Sequence, residues 1–136
     1  TVRTPAAKVF DAVATPAGLD EWWTARSSGI PELATEYVLE FTPEYVWRAE
    51  VTKCDAPREF ELTITEALDD WIGTKVGFSL SENADGTTLL CFRHSGWAEA
   101  SAHFRNSSFC WALYLRVMRD FVEKGKRVPY ADRYSA

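Results

Sequence analysis

The run ASAHFRNSSFCWALYLRVMRDFVEKG, residues 100–125, sets the reading of the whole chain. Phe104, Ser108, Trp111, Leu115, Met118 and Val122 recur in steps of four, three, four, three and four, the spacing of one stripe along an α-helix. Tyr114 and Phe121 widen that stripe. Gly125 stands where a left-handed residue closes a helix, and Lys124, Lys126 and Arg127 complement the negative end of its dipole. The spacing predicts a helix from about Ala100 to Lys124. Phe109, Cys110, Ala112 and Leu113 make its first half apolar nearly all round, which calls for cover by loops on two sides or by a second copy of the chain.

A long helix with one apolar face needs a second layer to bury it. Residues 24–97 supply one. Glu36–Thr42 alternates with Tyr37, Leu39 and Phe41 on one face; Tyr45–Lys53 groups Trp47, Ala49 and Val51; Glu59–Thr65 points Phe60, Leu62 and Ile64 inward and Glu61 and Thr63 outward. Lys75–Ser81 groups Val76, Phe78 and Leu80, and Thr87–Ser95 groups Leu90, Phe92 and His94, with Arg93 opposite. Pro43-Glu44, Asp55-Ala56-Pro57-Arg58 and Asn83-Ala84-Asp85-Gly86 are turns. Links this short imply an antiparallel meander, because parallel neighbours need long crossovers. Ahead of it, Thr1-Val2-Arg3 reads as the stub of a strand. Thr4-Pro5 and Thr15-Pro16 each read as a hydroxyl cap followed by proline at the first helical position, so two short helices are expected, the second ending in Glu21-Trp22-Trp23. The fold class is α+β, a curved antiparallel sheet around a long C-terminal helix, with one domain over residues 1–136.

Composition narrows the function. The 136 residues carry a net charge of −5, split between −9 over residues 1–100 (8 Lys/Arg against 17 Asp/Glu) and +4 over residues 101–136 (7 against 3). No basic stripe interleaved with aromatics is present, so nucleic acid is not an expected partner, and the acidic body does not suit an anionic membrane. No apolar run approaches the roughly 18 residues of a membrane span. Cys54, Cys91 and Cys110 are odd in number and lack a CxxC spacing, which reads as reduced thiols in a cytoplasmic protein. His94 and His103 have no cysteine between them, so neither a metal nor a cofactor is expected. No nucleophile elbow, phosphate loop or HExxH pattern occurs. The first strand is expected to be truncated, because the chain opens at Thr1.

The strand stub, the Val9-Phe10 helix, Trp22-Trp23, Trp71-Ile72-Gly73-Thr74, His94-Ser95-Gly96-Trp97 and the closing helix around Cys110-Trp111 together resemble the START-like, helix-grip (SRPBCC) superfamily. Within it they resemble the bacterial homologues of the activator of heat-shock protein 90 ATPase. The resemblance implies a seven-stranded type of sheet around the closing helix, with an internal cavity for a ligand. It transfers no catalytic residue, since that superfamily spans carriers, receptors, polyketide aromatase/cyclases and co-chaperones.

Six tryptophans, at 22, 23, 47, 71, 97 and 111, are a heavy aromatic load for one small core. The expected ligand-facing set is Trp23, Trp71, Phe92, His94, Ser108, Trp111 and Tyr114: aromatic wall plus the few polar groups that orient a ligand. His94 reads either as a satisfied core histidine, a ligand contact or a general base. His103 reads as a surface or capping residue, and Asp69-Asp70 as unable to share a proton, since adjacent side chains diverge. The expected function is binding of a small apolar or aromatic molecule, more readily without catalysis than with it. A co-chaperone role with a chaperone partner and a cyclase/aromatase activity using His94, Glu66 or Tyr114 are the alternatives.

Overall fold

A computed structural model describes residues 1–135. In chain order it contains α1 (Ala6–Ala14), α2 (Pro16–Leu19), β1 (Arg26–Ser28), β2 (Glu36–Thr42), β3 (Tyr45–Asp55), β4 (Glu59–Glu66), β5 (Lys75–Glu82), β6 (Thr88–Ser95) and α3 (Ala102–Lys124), then one 3-10 turn at Tyr130–Asp132. The six strands pair antiparallel in sequence order, β1 to β6, as the short turns demand. The resemblance implies a seventh strand. Its place is taken by Val2, which bridges Thr88 at the β6 edge through two backbone hydrogen bonds of 2.8 Å. The sheet is thus six strands and a one-residue stub, curved over α1 and α3 in the helix-grip arrangement.

The inward faces match the alternation. Tyr37, Leu39, Ala49, Val51, Phe60, Leu62, Ile64, Val76, Phe78 and Leu80 are buried and meet Val9, Phe10, Val13 and Leu19 from α1 and α2 and Trp111, Met118 and Val122 from α3. Trp22 lies at the centre, fully buried, with its Nε1–H donating to the Ala12 carbonyl at 2.9 Å. Tyr37 Oη donates to the Ala14 carbonyl at 2.5 Å, and burial pushes its phenol well above the ordinary range. Gly18 lets α2 fold back on α1: a Cβ there would lie 2.3 Å from the Asp11 carbonyl oxygen.

Three local expectations are corrected. Helix α1 starts one residue later than the Thr4-Pro5 pattern predicts, and Thr4 is not its cap. The Thr4 hydroxyl sits between the Arg3 and Val122 carbonyls, at 2.8 and 3.1 Å, tying the strand stub to α3, while Glu82 from β5 accepts the Ala6 N–H at 2.9 Å. Thr15-Pro16 does cap α2, with the Thr15 hydroxyl accepting from Gly18 N–H at 3.1 Å. Glu61 points outward as predicted, yet it is 4% exposed. Thr52 donates to it at 2.7 Å and Lys75 and Arg93 fold over it, with Gly77 leaving room for the Arg93 guanidinium. Burial alone pushes the Glu61 carboxyl up; the Thr52 hydroxyl and the Lys53, Lys75 and Arg93 cations outweigh it and hold the carboxyl below the ordinary range.

The third correction concerns the stripe of α3. Its C-terminal half runs through Trp111, Met118 and Val122 as predicted. In its first half the buried residues are Ser107 and Cys110, whereas Ser108 is exposed and Phe109 is 63% exposed. Ser108 Oγ donates to the Phe104 carbonyl at 2.9 Å, satisfying itself on its own helix. Small residues occupy the inner face here because the helix crosses a void rather than the packed core.

After α3, Gly125 takes φ +67° and the chain doubles back over the body. Arg133 pins this tail. It is 4% exposed and donates to the carbonyls of Thr24 at 3.0 Å, Val128 at 3.2 Å and Asp20. Arg133→Met is expected to lower stability by about 2–3 kcal/mol, because three carbonyls, one buried and two part-buried, lose a charged donor. Urea denaturation checks it.

Candidate functional site

The void under α3 is a cavity of about 230 Å³. Strand ends β2 and β3 give Phe41, Thr42, Tyr45 and Trp47; the turn after α2, a helix that stops at Leu19 and not at the predicted Glu21-Trp22-Trp23, gives Trp23; the β4–β5 connection gives Leu68 and Trp71. Helix α3 contributes His103, Asn106, Ser107, Cys110, Trp111 and Tyr114 along one side, and the tail closes over with Tyr130 and Tyr134. Tyr45, Leu68 and Tyr134 are exposed and form the rim.

The wall is a continuous aromatic network. Trp111 lies 5.0 Å from Trp23 and 4.6 Å from Phe92, ring centre to ring centre, and Trp71 lies 4.7 Å from Trp47 and 4.4 Å from His94. Such offset and edge contacts hold rings rigidly at little entropic cost. Trp71 lies in the connection between β4 and β5. It is 5% exposed because the Trp71–Thr74 turn, closed by the Thr74 hydroxyl on the Trp71 carbonyl at 2.6 Å, folds it beneath α3.

His94 is locked from both sides. Trp111 Nε1–H donates to His94 Nδ1 at 3.1 Å, which places the ring proton on Nε2, and Nε2–H donates to Thr74 Oγ1 at 2.9 Å. Burial, and secondarily nearby His103, pulls its pKa down to about 4. The ring is therefore neutral at pH 7. An unfolded histidine titrates near 6.5, so between about pH 6.5 and 4 the unfolded chain binds the extra proton and acid favours unfolding. About 2 kcal/mol of stability is expected to be lost as pH falls through that window, and His94→Gln should flatten the slope in a denaturation series from pH 7.5 to 4.

The predicted set thus divides. Trp23, Trp71, Trp111 and Tyr114 converge on the cavity. Phe92, His94 and Ser108 fall on the far side of Trp111, where with Trp97 they line a separate depression of about 400 Å³. Strand alternation put Phe92 and His94 on the correct face; it could not show that the Trp111 indole stands between them and the void. Glu66 is on the outer face, 3.4 Å from Arg48, away from the cavity.

Apart from Tyr114, sequence reasoning missed the polar lining of the cavity, and with it the partners that hold His103. His103 Nδ1 is 2.7 Å from Asp70 Oδ1, and its ring stacks on Trp71 at 5.8 Å and 26°. Ser101, which caps α3 through a 3.1 Å bond from Phe104 N–H, also reaches Asp70 at 3.4 Å. These partners are over thirty residues apart, and no local spacing announces them. The tail tyrosines follow the helix stop and carried no signal either. Trp71 Nε1 and Thr42 Oγ1 are, among the described residues, the buried side-chain polar atoms without a partner, and both side chains line this cavity. No cluster of three or more metal-ligating side chains occurs among the described residues, and no helix is long and apolar enough to cross a membrane.

Comparison with known proteins agrees with this architecture. The solution structure of the Aha1 dimer from Colwellia psychrerythraea superposes with a TM-score of 0.81 at 25% identity, covering 92% of both chains. Bacillus halodurans protein BH1534 gives 0.73 at 24%, covering 90% of this chain and 92% of that one, and CalU16 from Micromonospora echinospora gives 0.72 at 19%, covering 98% and 78%. Among curated proteins none matches. The family model described as activator of Hsp90 ATPase homolog 1-like protein matches residues 3–123, almost the whole domain from the strand stub to the last turn of α3, and the chain belongs to that family.

Proposed function

We propose that this chain binds a small aromatic or otherwise apolar molecule in the cavity beneath α3, without turning it over. The observation that carries the reading is the cavity wall: four tryptophans, Trp23, Trp47, Trp71 and Trp111, held in stacked and tilted contacts around a cavity of about 230 Å³. A core selected only for stability closes such a void, since each lost methyl-sized contact costs about 1 kcal/mol. The indole N–H of Trp71, unpaired among the described residues, adds a hydrogen-bonding capacity open to a ligand. Ligands of this kind are gripped by apolar walls and oriented by a few polar groups. In the proposed set Trp23, Trp71, Trp111 and Tyr114 make the contact, while Phe92, His94 and Ser108 support or flank it. The test is a panel of bicyclic aromatics and fatty acids, followed by tryptophan quenching and thermal shift. A ligand at a hundred times its dissociation constant should add about 2.7 kcal/mol of stability. Silence across the panel would overturn the reading.

A second reading follows the family. Its name and the Aha1 relative support a chaperone partner and a homodimer, and the exposed Phe109 on α3 is an apolar surface such contacts would use. Light scattering should then give twice the chain mass, reverting to one in Phe109→Asp, and a heat-shock protein 90 ATPase assay should rise on addition of the protein. Cytoplasmic residence fits three free thiols, Cys54, Cys91 and Cys110.

A further inference from the structure

We infer that the cavity selects aromatic molecules bearing a hydroxyl group, whose O–H donates to Nε2 of His103. The inference rests on the binding role proposed above and names its ligand class. His103 lines the cavity with its ring stacked on Trp71. Its Nδ1 meets the Asp70 carboxylate at 2.7 Å, and a carboxylate only accepts, so Nδ1 carries the proton. In the neutral ring Nε2 is then a bare lone pair, and it makes no hydrogen bond among the described residues. Asp70 is itself steadied by Ser101, the residue that caps α3, so the orientation is built from the helix terminus outward.

The arrangement differs from that of His94, whose two nitrogens are both consumed by Trp111 and Thr74. His103 offers one acceptor, fixed in tautomer by its partner and in plane by Trp71, at the edge of an apolar space. A phenolic O–H fits that acceptor; an ether or a bare hydrocarbon of the same shape does not. A site built to take a donor rejects an analogue lacking it more strongly than an apolar wall rejects a change of size.

The test is direct titration at pH 8 of the whole protein with 2-naphthol, 2-methoxynaphthalene and naphthalene, followed by tryptophan quenching. Wild type is expected to bind 2-naphthol at least about tenfold tighter than the other two. His103→Phe keeps an aromatic ring against Trp71 and removes the acceptor, and should collapse that ratio to about one. Asp70→Asn, which unfixes the tautomer, should narrow the ratio without abolishing binding. Equal affinities in wild type, or a preference that persists in His103→Phe, would overturn the inference and leave the cavity's binding role standing. Failure of all three compounds to bind would overturn both. Melting curves of each variant establish that it is folded.

Discussion

Replacing Trp22 with alanine is expected to destabilise the protein by about 4–5 kcal/mol, the upper end for loss of a core aromatic. Trp22 is fully buried where α2, the sheet and α3 meet. It stacks on Trp23 at 6.1 Å, meets Phe78 edge-on at 6.1 Å and reaches Trp111 at 6.4 Å. It also donates to the Ala12 carbonyl near the end of α1. Alanine would open a hole at the junction and orphan that carbonyl together. Native domains are stable by only about 5–15 kcal/mol, so most of the folded population is at stake. Trp22→Phe separates the two effects and should cost about 1–2 kcal/mol for the hydrogen bond and residual volume. Urea denaturation of both variants gives the numbers. A loss under about 1.5 kcal/mol in the alanine variant would mean that Trp22 is not the anchor of the core.

Ser107→Phe is expected to have the largest effect on binding with little on folding. Ser107 is 5% exposed, on the inner face of α3, between the cavity and the depression. A phenyl ring there projects into space that is empty in the structure, so overpacking is confined and stability should change by no more than about 1 kcal/mol. The same ring occupies the volume a ligand needs. Affinity for 2-naphthol should fall at least about 100-fold, equivalent to about 2.7 kcal/mol. Undiminished binding in a folded Ser107→Phe protein would place the ligand elsewhere.

The contrast between these two tryptophan-rich regions explains what the sequence could disclose. Strand limits were legible because the inner face is continuous: Phe60, Leu62 and Ile64 on β4, or Val76, Phe78 and Leu80 on β5, alternate without interruption, and polar turns separate them. Strand β1 was not, since Arg26-Ser27-Ser28 has no apolar alternation and is held by backbone pairing to β2. The closing helix was legible in length, and its register only in the half that packs on the core. Over the cavity, burial of Ser107 and Cys110 obeys the void and not hydrophobicity, so a stripe drawn through apolar residues veers onto Ser108. The site divided in the same way. Trp23 and Trp71 could be singled out as large rings in connections, and Trp111 as a large ring on the helix stripe. His103 with Asp70, and the tail tyrosines, depend on a tertiary approach of the β4–β5 connection and of the residues after Gly125, which no period encodes.

The central claim is that the tryptophan-walled cavity, and not the depression behind it, receives the ligand. It is tested most directly by the indole N–H signals in a two-dimensional proton–nitrogen spectrum, recorded with and without saturating 2-naphthol. Six tryptophans give six resolvable reporters. The signals of Trp23, Trp47, Trp71 and Trp111 are predicted to move, with Trp71 shifting furthest because its N–H has no partner among the described residues, while Trp22, tied to Ala12, stays in place. Movement of Trp97 with Trp23 and Trp71 unchanged would put the ligand in the depression, and no movement at all would contradict a binding cavity.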